Sequence, residues 1–170
     1  MYWTNKYNEA ILRKKQLIGD KVLRKFLRDF FHDVPLLEEV RFPNFTADML
    51  FIFTEQTILM GIEVKSDRDS LLRLPYQLDG YLSYCNKVVV ATTIMHAPEA
   101  LKILEDKRYE HVGLWVYRME QGEKFFNEIK EPVCANLLSV NSKWISRKHQ
   151  LYQWLYMLEV IWDKWERRQT

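Results

Sequence analysis

Cysteine is scarce in this chain. Cys85 and Cys134 are the only two, too few for a disulfide framework or a cysteine-rich zinc site. The four histidines, His32, His96, His111 and His149, show no metal-ligand spacing. Five Gly and five Pro exclude a collagen-like or linker-dominated chain. No apolar run approaches the ~18 residues that a membrane span needs. The start, Met1-Tyr2-Trp3-Thr4-Asn5-Lys6, has no apolar signal core. There is no glycine-rich phosphate loop and no Gly-x-Ser-x-Gly elbow. An excess of one charge is also missing: 25 Lys+Arg stand against 23 Asp+Glu, a net +2. That excludes a histone-like coat of cations, though a balanced total can hide a local basic patch. Together these absences point to an intracellular, reduced, cytoplasmic protein with no membrane partner.

What is present is an ordinary globular balance, 48% hydrophobic and 28% charged. Aromatic residues, at 14%, are plentiful enough to build a core without covalent staples. The 170 residues suit a single domain spanning 1–170, and no repeat or dividing linker interrupts them.

Apolar residues recur at spacings of three and four from Ile11 to Phe31, which predicts helix over 8–31, with Gly19-Asp20 as a break point. The other face is basic: between Lys6 and Phe31 eight Lys/Arg oppose three acids. That face is either simply solvated or set to contact phosphates. Three strands are expected next, near Glu39–Phe42, Asp48–Phe53 and Ile58–Val64. The latter two are apolar on both faces, as central strands are. Pro75 suits the first turn of a helix running to Tyr84. Lys87–Thr93 reads as a buried strand, so the helix before it makes a parallel crossover. A short helix over Pro98–Glu105, strands over Val112–Arg118 and Lys124–Ile129, and a Trp-rich helix over Lys143–Arg168 complete the pattern.

One stretch carries chemistry. Glu-x-Lys triplets alone mean little, since chance supplies about two acid-x-Lys triplets in such a composition and the chain has three. Only Glu63-Val64-Lys65 ends a strand that is otherwise apolar. Residues i and i+2 share a face, so a carboxylate and an ammonium project together from its end. A hairpin turning near Thr54–Thr57 brings Asp48 opposite Glu63. Two acids and a lysine at one sheet edge are costly to bury without purpose. Two carboxylates can hold a hard divalent cation, Mg2+ or Mn2+, which activates water against a phosphodiester. The lysine can orient that water and neutralise developing charge. The alternative is a buried ion network that fixes strand register. Gln77 and Tyr81, four apart on the following helix, share a face. Gln77 can reach the site and Tyr81 can brace it.

Asp48…Glu63-Val64-Lys65 followed by Gln77-x-x-x-Tyr81 resembles the PD-(D/E)XK nuclease superfamily. The runs Gly61–Asp67 and Leu72–Gln77 are similar to an uncharacterised bacterial and phage branch of it. The resemblance implies an α/β, mixed-sheet fold: a restriction-endonuclease-like core over about 8–93, flanked by helices, with an extension of strands and a Trp-rich helix over about 98–170. It implies a metal-dependent nuclease acting on DNA, RNA being an open second substrate. Asp48, Glu63, Lys65 and Gln77 would be catalytic, with Tyr81 supporting. Asp48 and Glu63 would hold the metal, joined by an earlier acid, for which Glu39 is the candidate and Glu38, Asp20 and Glu9 are rivals. Ala47 stands where the name-giving motif has Pro. Lys14, Lys15, Lys21, Lys25, Arg68 and Arg73 would hold the nucleic-acid backbone. A homodimer would supply the two sites that two-strand cleavage needs. The other class left open is a catalytically silent module of the same fold that binds nucleic acid or protein.

Overall fold

The computed structural model describes residues 17–53, 55, 56, 58–134 and 167. Helix α1 is Asp20–Phe30. Strands β1, Leu36–Arg41, β2, Thr46–Phe53, and β3, Ile58–Lys65, follow. Next come helix α2, Leu74–Tyr84, strand β4, Lys87–Thr93, and helix α3, Ala97–Leu104. A short 3-10 turn at Lys107–Tyr109 leads to β5, Gly113–Glu120, and β6, Glu123–Lys130. The six strands form one sheet in chain order. β1, β2 and β3 are an antiparallel meander, β3, β4 and β5 run parallel, and β6 returns antiparallel. This is a mixed-sheet α+β fold, with the order helix, three-strand meander, helix, strand that the motif pattern anticipates. No helix among the described residues is long and apolar enough to cross a membrane.

The sheet is covered on both sides, which explains why its middle strands are apolar on both faces. Leu74 and Leu78 of α2 and Ala100 and Leu104 of α3 pack with Leu50, Leu59, Val88 and Val90 on one side. Both crossover helices therefore lie on the same face. Leu23 and Leu27 of α1 pack with Phe51, Ile62, Val89 and Tyr117 on the other. There Phe26 meets the Tyr117 and Phe126 rings edge-on, at 5.8 and 5.4 Å.

Of the helix expected over 8–31, the part beyond the Gly19-Asp20 break point is α1. Gly19 has extended backbone and caps it, and Asp20 places a negative charge in the first turn, where the helix dipole favours one. Residues 8–16, with Lys14 and Lys15, lie outside the described residues, as does the expected Trp-rich helix apart from Arg167.

One irregularity shapes everything nearby. Glu39 has φ +52°, a left-handed conformation that is uncommon for a residue with a side chain. Strand pairing holds on either side, Glu38 with Met49 and Val40 with Ala47. Regular alternation breaks between them: Leu37 and Val40, three apart, enter the same core, and so do Ala47 and Leu50. The strands rotate here, at the level of Asp48.

Two glycines let α2 sit close to the sheet. A Cβ on Gly61 of β3 would lie 2.3 Å from the Tyr81 ring and 2.9 Å from Cys85 Sγ. A Cβ on Gly80 would lie 2.5 Å from the Phe45 ring. Gly61→Ala is therefore expected to cost about 1–3 kcal/mol through overpacking, measured as a lower denaturant midpoint. An unchanged midpoint would show that α2 can back away from β3 freely.

Candidate active site

The site is built at the C-terminal end of β3, where the two acids and the lysine of the motif converge. Glu63 is completely buried and Lys65 is 5% exposed. Their side chains leave β3 on one face, and Lys65 Nζ lies 2.7 Å from Glu63 Oε1. Lys65 Nζ also donates to Gln77 Oε1 at 2.8 Å, which ties α2 to the motif. Gln77 thus reaches the lysine, one of the roles its position on α2 allowed.

Glu63 is the least satisfied group. Oε1 is ion-paired with the ammonium, but neither carboxylate oxygen has a hydrogen bond of good geometry among the described residues. Burial pushes its pKa up to about 7; the neighbouring Asp48 charge adds to the rise and the Lys65 charge offsets part of it. Burial acts this way because the charged form is the one that loses hydration.

Asp48 is the opposite case. Its Oδ1 accepts from Arg24 Nη2 at 2.9 Å and its Oδ2 accepts from the Val64 backbone N–H at 2.8 Å. Its own backbone has left the β1 ladder. The Asp48 N–H donates to Tyr81 Oη at 2.7 Å, and the Asp48 carbonyl accepts from Arg24 Nη1 at 3.0 Å. Tyr81 then donates its hydroxyl proton to the Ile62 carbonyl at 3.2 Å. Tyr81 is fully buried and braces β2 against β3 rather than bracing Gln77. Burial raises its phenol well above the ordinary value, with the Glu63 and Asp48 charges adding, so it stays protonated. The pair Met49 with Ile62 puts Asp48 and Glu63 at successive positions on adjoining strands, as the hairpin argument anticipates.

Arg24 is the residue that sequence reasoning passed over, counting it only as part of a basic face. It is 9% exposed and sits among three carboxylates. Its Nε bonds both oxygens of Asp20 at 2.9 Å, Nη2 bonds Asp48, and Nη1 lies 3.8 Å from Glu38. Burial opposes its charge, but the Asp20 hydrogen bond and the Asp48, Asp20 and Glu38 charges outweigh burial and raise its pKa. Two signals were available. Arg24 lies next to Leu23 on the stripe that Leu27 continues, and Asp20 precedes it by four residues, the spacing of a helical ion pair.

Other expected residues fall into place unevenly. Glu39 is exposed in the rotated part of β1. Glu38 is the β1 acid turned toward α1, bonded by Arg28 at 2.8 and 2.9 Å; the left-handed turn at Glu39 separates the two. Lys21 and Lys25 are exposed on α1, with Lys25 held by Asp29 at 2.7 Å. Arg68 and Arg73 are exposed in the segment between Lys65 and Gln77. That segment is pinned at its root. Asp69 accepts from the Ser66 N–H and hydroxyl at 2.7 and 2.6 Å. Asp67 accepts from the Thr93 hydroxyl, and from the Ile18 N–H at 2.8 Å. No group of three or more metal-binding side chains occurs among the described residues; the two motif acids stand as a pair. Cys85 is buried, and burial alone pushes its thiol far above the ordinary range.

A mixed sheet carrying an acid pair and a lysine at the end of its central strand defines an α+β protein with one polar centre. The chain belongs to the family of bacteriophage P4 protein cII, whose model matches residues 10–161. No curated protein matches the chain. A solved structure titled as a protein of unknown function from Silicibacter pomeroyi is similar at 14% identity, over 81% of this chain and 75% of that one, with a TM-score of 0.48.

The Glu63 shift has a testable sign. The folded protein holds this proton more tightly than the unfolded chain does. Below pH 4.5, the ordinary value, both states are protonated and Glu63 costs nothing. Stability then falls as pH rises toward about 7 and the full penalty, on the order of 3 kcal/mol, persists above it. Glu63→Gln removes the titration. Its melting temperature relative to wild type should climb across this window and level off above it. A difference that stays flat with pH would place the Glu63 carboxyl in contact with water.

Proposed function

We propose that the protein is a divalent-metal-dependent nuclease of the PD-(D/E)XK type acting on DNA, working in a phage setting. The observation that carries this reading is Glu63: a buried carboxylate beside Asp48, ion-paired with Lys65 on one oxygen and with no hydrogen bond of good geometry on either. A hard cation is the partner that such an oxygen pair lacks. Asp48 and Glu63 would hold Mg2+ or Mn2+, which when bound lowers the pKa of water and neutralises phosphate charge.

The chain's own residues supply the rest. Lys65 presents an ammonium that can hold the attacking water and balance charge on the phosphate. Gln77 fixes that ammonium through the 2.8 Å bond, so its role is to orient. Tyr81 holds the Asp48 backbone, keeping the two acids at one level of the sheet. Arg68 and Arg73, exposed beside the motif, and Lys21, exposed on α1, would meet the nucleic-acid backbone. Cleavage of both strands would call for two copies of the chain.

A second reading has its own observation. Both Asp48 oxygens are already bonded by protein groups. A module that binds nucleic acid or protein, its acids reduced to an ion network, would look like this too. Manganese titration separates the two. In the nuclease, Mn2+ raises the melting temperature by mass action, and cleavage of a panel of single-stranded, duplex, flapped and branched DNA and of RNA depends on it. Asp48→Asn should abolish both. Gln77→Ala should lower cleavage roughly 10–100-fold while metal binding persists, the usual cost of losing an outer partner. Cleavage undiminished in Asp48→Asn, or no effect of Mn2+ on melting, would overturn the assignment.

A further inference from the structure

The two motif acids are unequally prepared. Glu63 is buried with one ion pair, to Lys65, and no well-formed hydrogen bond, while Asp48 is filled by a guanidinium and a backbone amide. The amide is no obstacle, because it is part of the β2–β3 connection and leaves Oδ1 alone. The guanidinium is: Arg24 Nη2 lies 2.9 Å from Oδ1, on the one Asp48 oxygen that the sheet does not use. A divalent cation shared with Glu63 would have to take that oxygen, and two cationic partners cannot crowd one carboxylate oxygen without mutual repulsion.

Arg24 is built to let go. Its Nε is anchored separately, by two 2.9 Å bonds to Asp20 one helical turn earlier, while Nη1 holds the Asp48 backbone carbonyl at 3.0 Å and leaves the side chain to Nη2. Glu38, 3.8 Å from Nη1, lies within reach on β1, where Arg28 already bonds both its oxygens. Nη2 can therefore swing off Oδ1 while the guanidinium stays paired with Asp20 and close to the Glu38 charge that it shares with Arg28.

We infer that Arg24 is an internal stand-in for the metal: it holds Asp48 in place and neutralised while the site is empty of metal, and yields Oδ1 to a divalent cation. This rests on the proposed nuclease reading and adds a positioning residue to it, one acting through Asp48. The Arg24–Asp20 pair then sets how much metal is needed to load the site. A guanidinium freed from Asp48 also stays at the edge of the site, one turn from exposed Lys21, with its charge available to a phosphate.

Metal affinity gives the test a sign that a purely structural role does not share. Mn2+ binding is measured by calorimetry and electron paramagnetic resonance on full-length wild type, Arg24→Gln, Asp20→Asn and Asp48→Asn, without nucleic acid. Arg24→Gln should bind Mn2+ more tightly, on the order of tenfold, the worth of one charge-assisted hydrogen bond. Asp20→Asn removes the competing anchor, leaves Arg24 more firmly on Asp48, and should weaken binding. Asp20 is half exposed, so this variant decides the matter if Arg24→Gln fails to fold. A structural brace predicts the reverse for Arg24→Gln, a looser Asp48 and weaker binding, and no change for Asp20→Asn. Binding lost in Asp48→Asn but unaffected or weakened in Arg24→Gln would overturn this inference and leave the nuclease reading standing. No Mn2+ binding in any of the four proteins would overturn both.

Discussion

Holding the Glu63 carboxylate out of water is the constraint around which the rest of the molecule is arranged. A buried carboxylate must be protonated, paired or given to a metal. Here it rides on β3, the last strand of the meander, covered by α2 on its own face, and Lys65 two residues on is the cation that the sheet itself supplies. That pairing is incomplete, since it is close in distance yet leaves both oxygens without a hydrogen bond. The protein accepts this cost at one point while satisfying the groups around it. Lys65 has Gln77, its carbonyl has the Thr92 hydroxyl at 2.9 Å, and the Asp48 amide has Tyr81.

The two faces of the sheet contribute differently to that arrangement. The α2 face is rigid: Tyr81 is wedged over Gly61 with no space for a methyl group, and its hydroxyl clamps two strands together. The α1 face is electrostatic. Arg24 and Arg28 meet Asp20, Glu38 and Asp48 in a near-neutral network that reaches across from the helix to β1 and β2. Asp48 sits where the two meet, held from one side by a phenol and from the other by a guanidinium. Its release from the β1 ladder, at the rotation near Glu39, is what frees its backbone for both.

By sequence the chain belongs to the family of bacteriophage P4 protein cII. The proposed activity is argued from the site alone, from the unequal treatment of its two neighbouring acids: Asp48 is fully hydrogen-bonded and Glu63 is not.

Local pattern was enough for much of this. Continuous apolar runs bounded by turns mark β2, β3 and β4, and the β-branched run Lys87–Thr93 is a strand from end to end. Pro75 marks the first turn of α2, because a ring without an N–H fits only where the helix has no partner for one. The pairing of Asp48 with the level of Glu63 followed from hairpin length alone, since alternation and a short turn leave one register. Tertiary structure decided the rest. Which acid of the Glu38-Glu39 pair faces α1 depended on a left-handed residue that no composition rule announces. Whether Tyr81 would serve Gln77 or the strands depended on how deeply α2 settles onto Gly61. Arg24 is one of many basic residues on an amphipathic helix when read as sequence. It becomes the partner of Asp48 only once α1 is laid across the meander, because a charge acquires its role from the low-dielectric surroundings and the partners that folding brings within 3 Å of it.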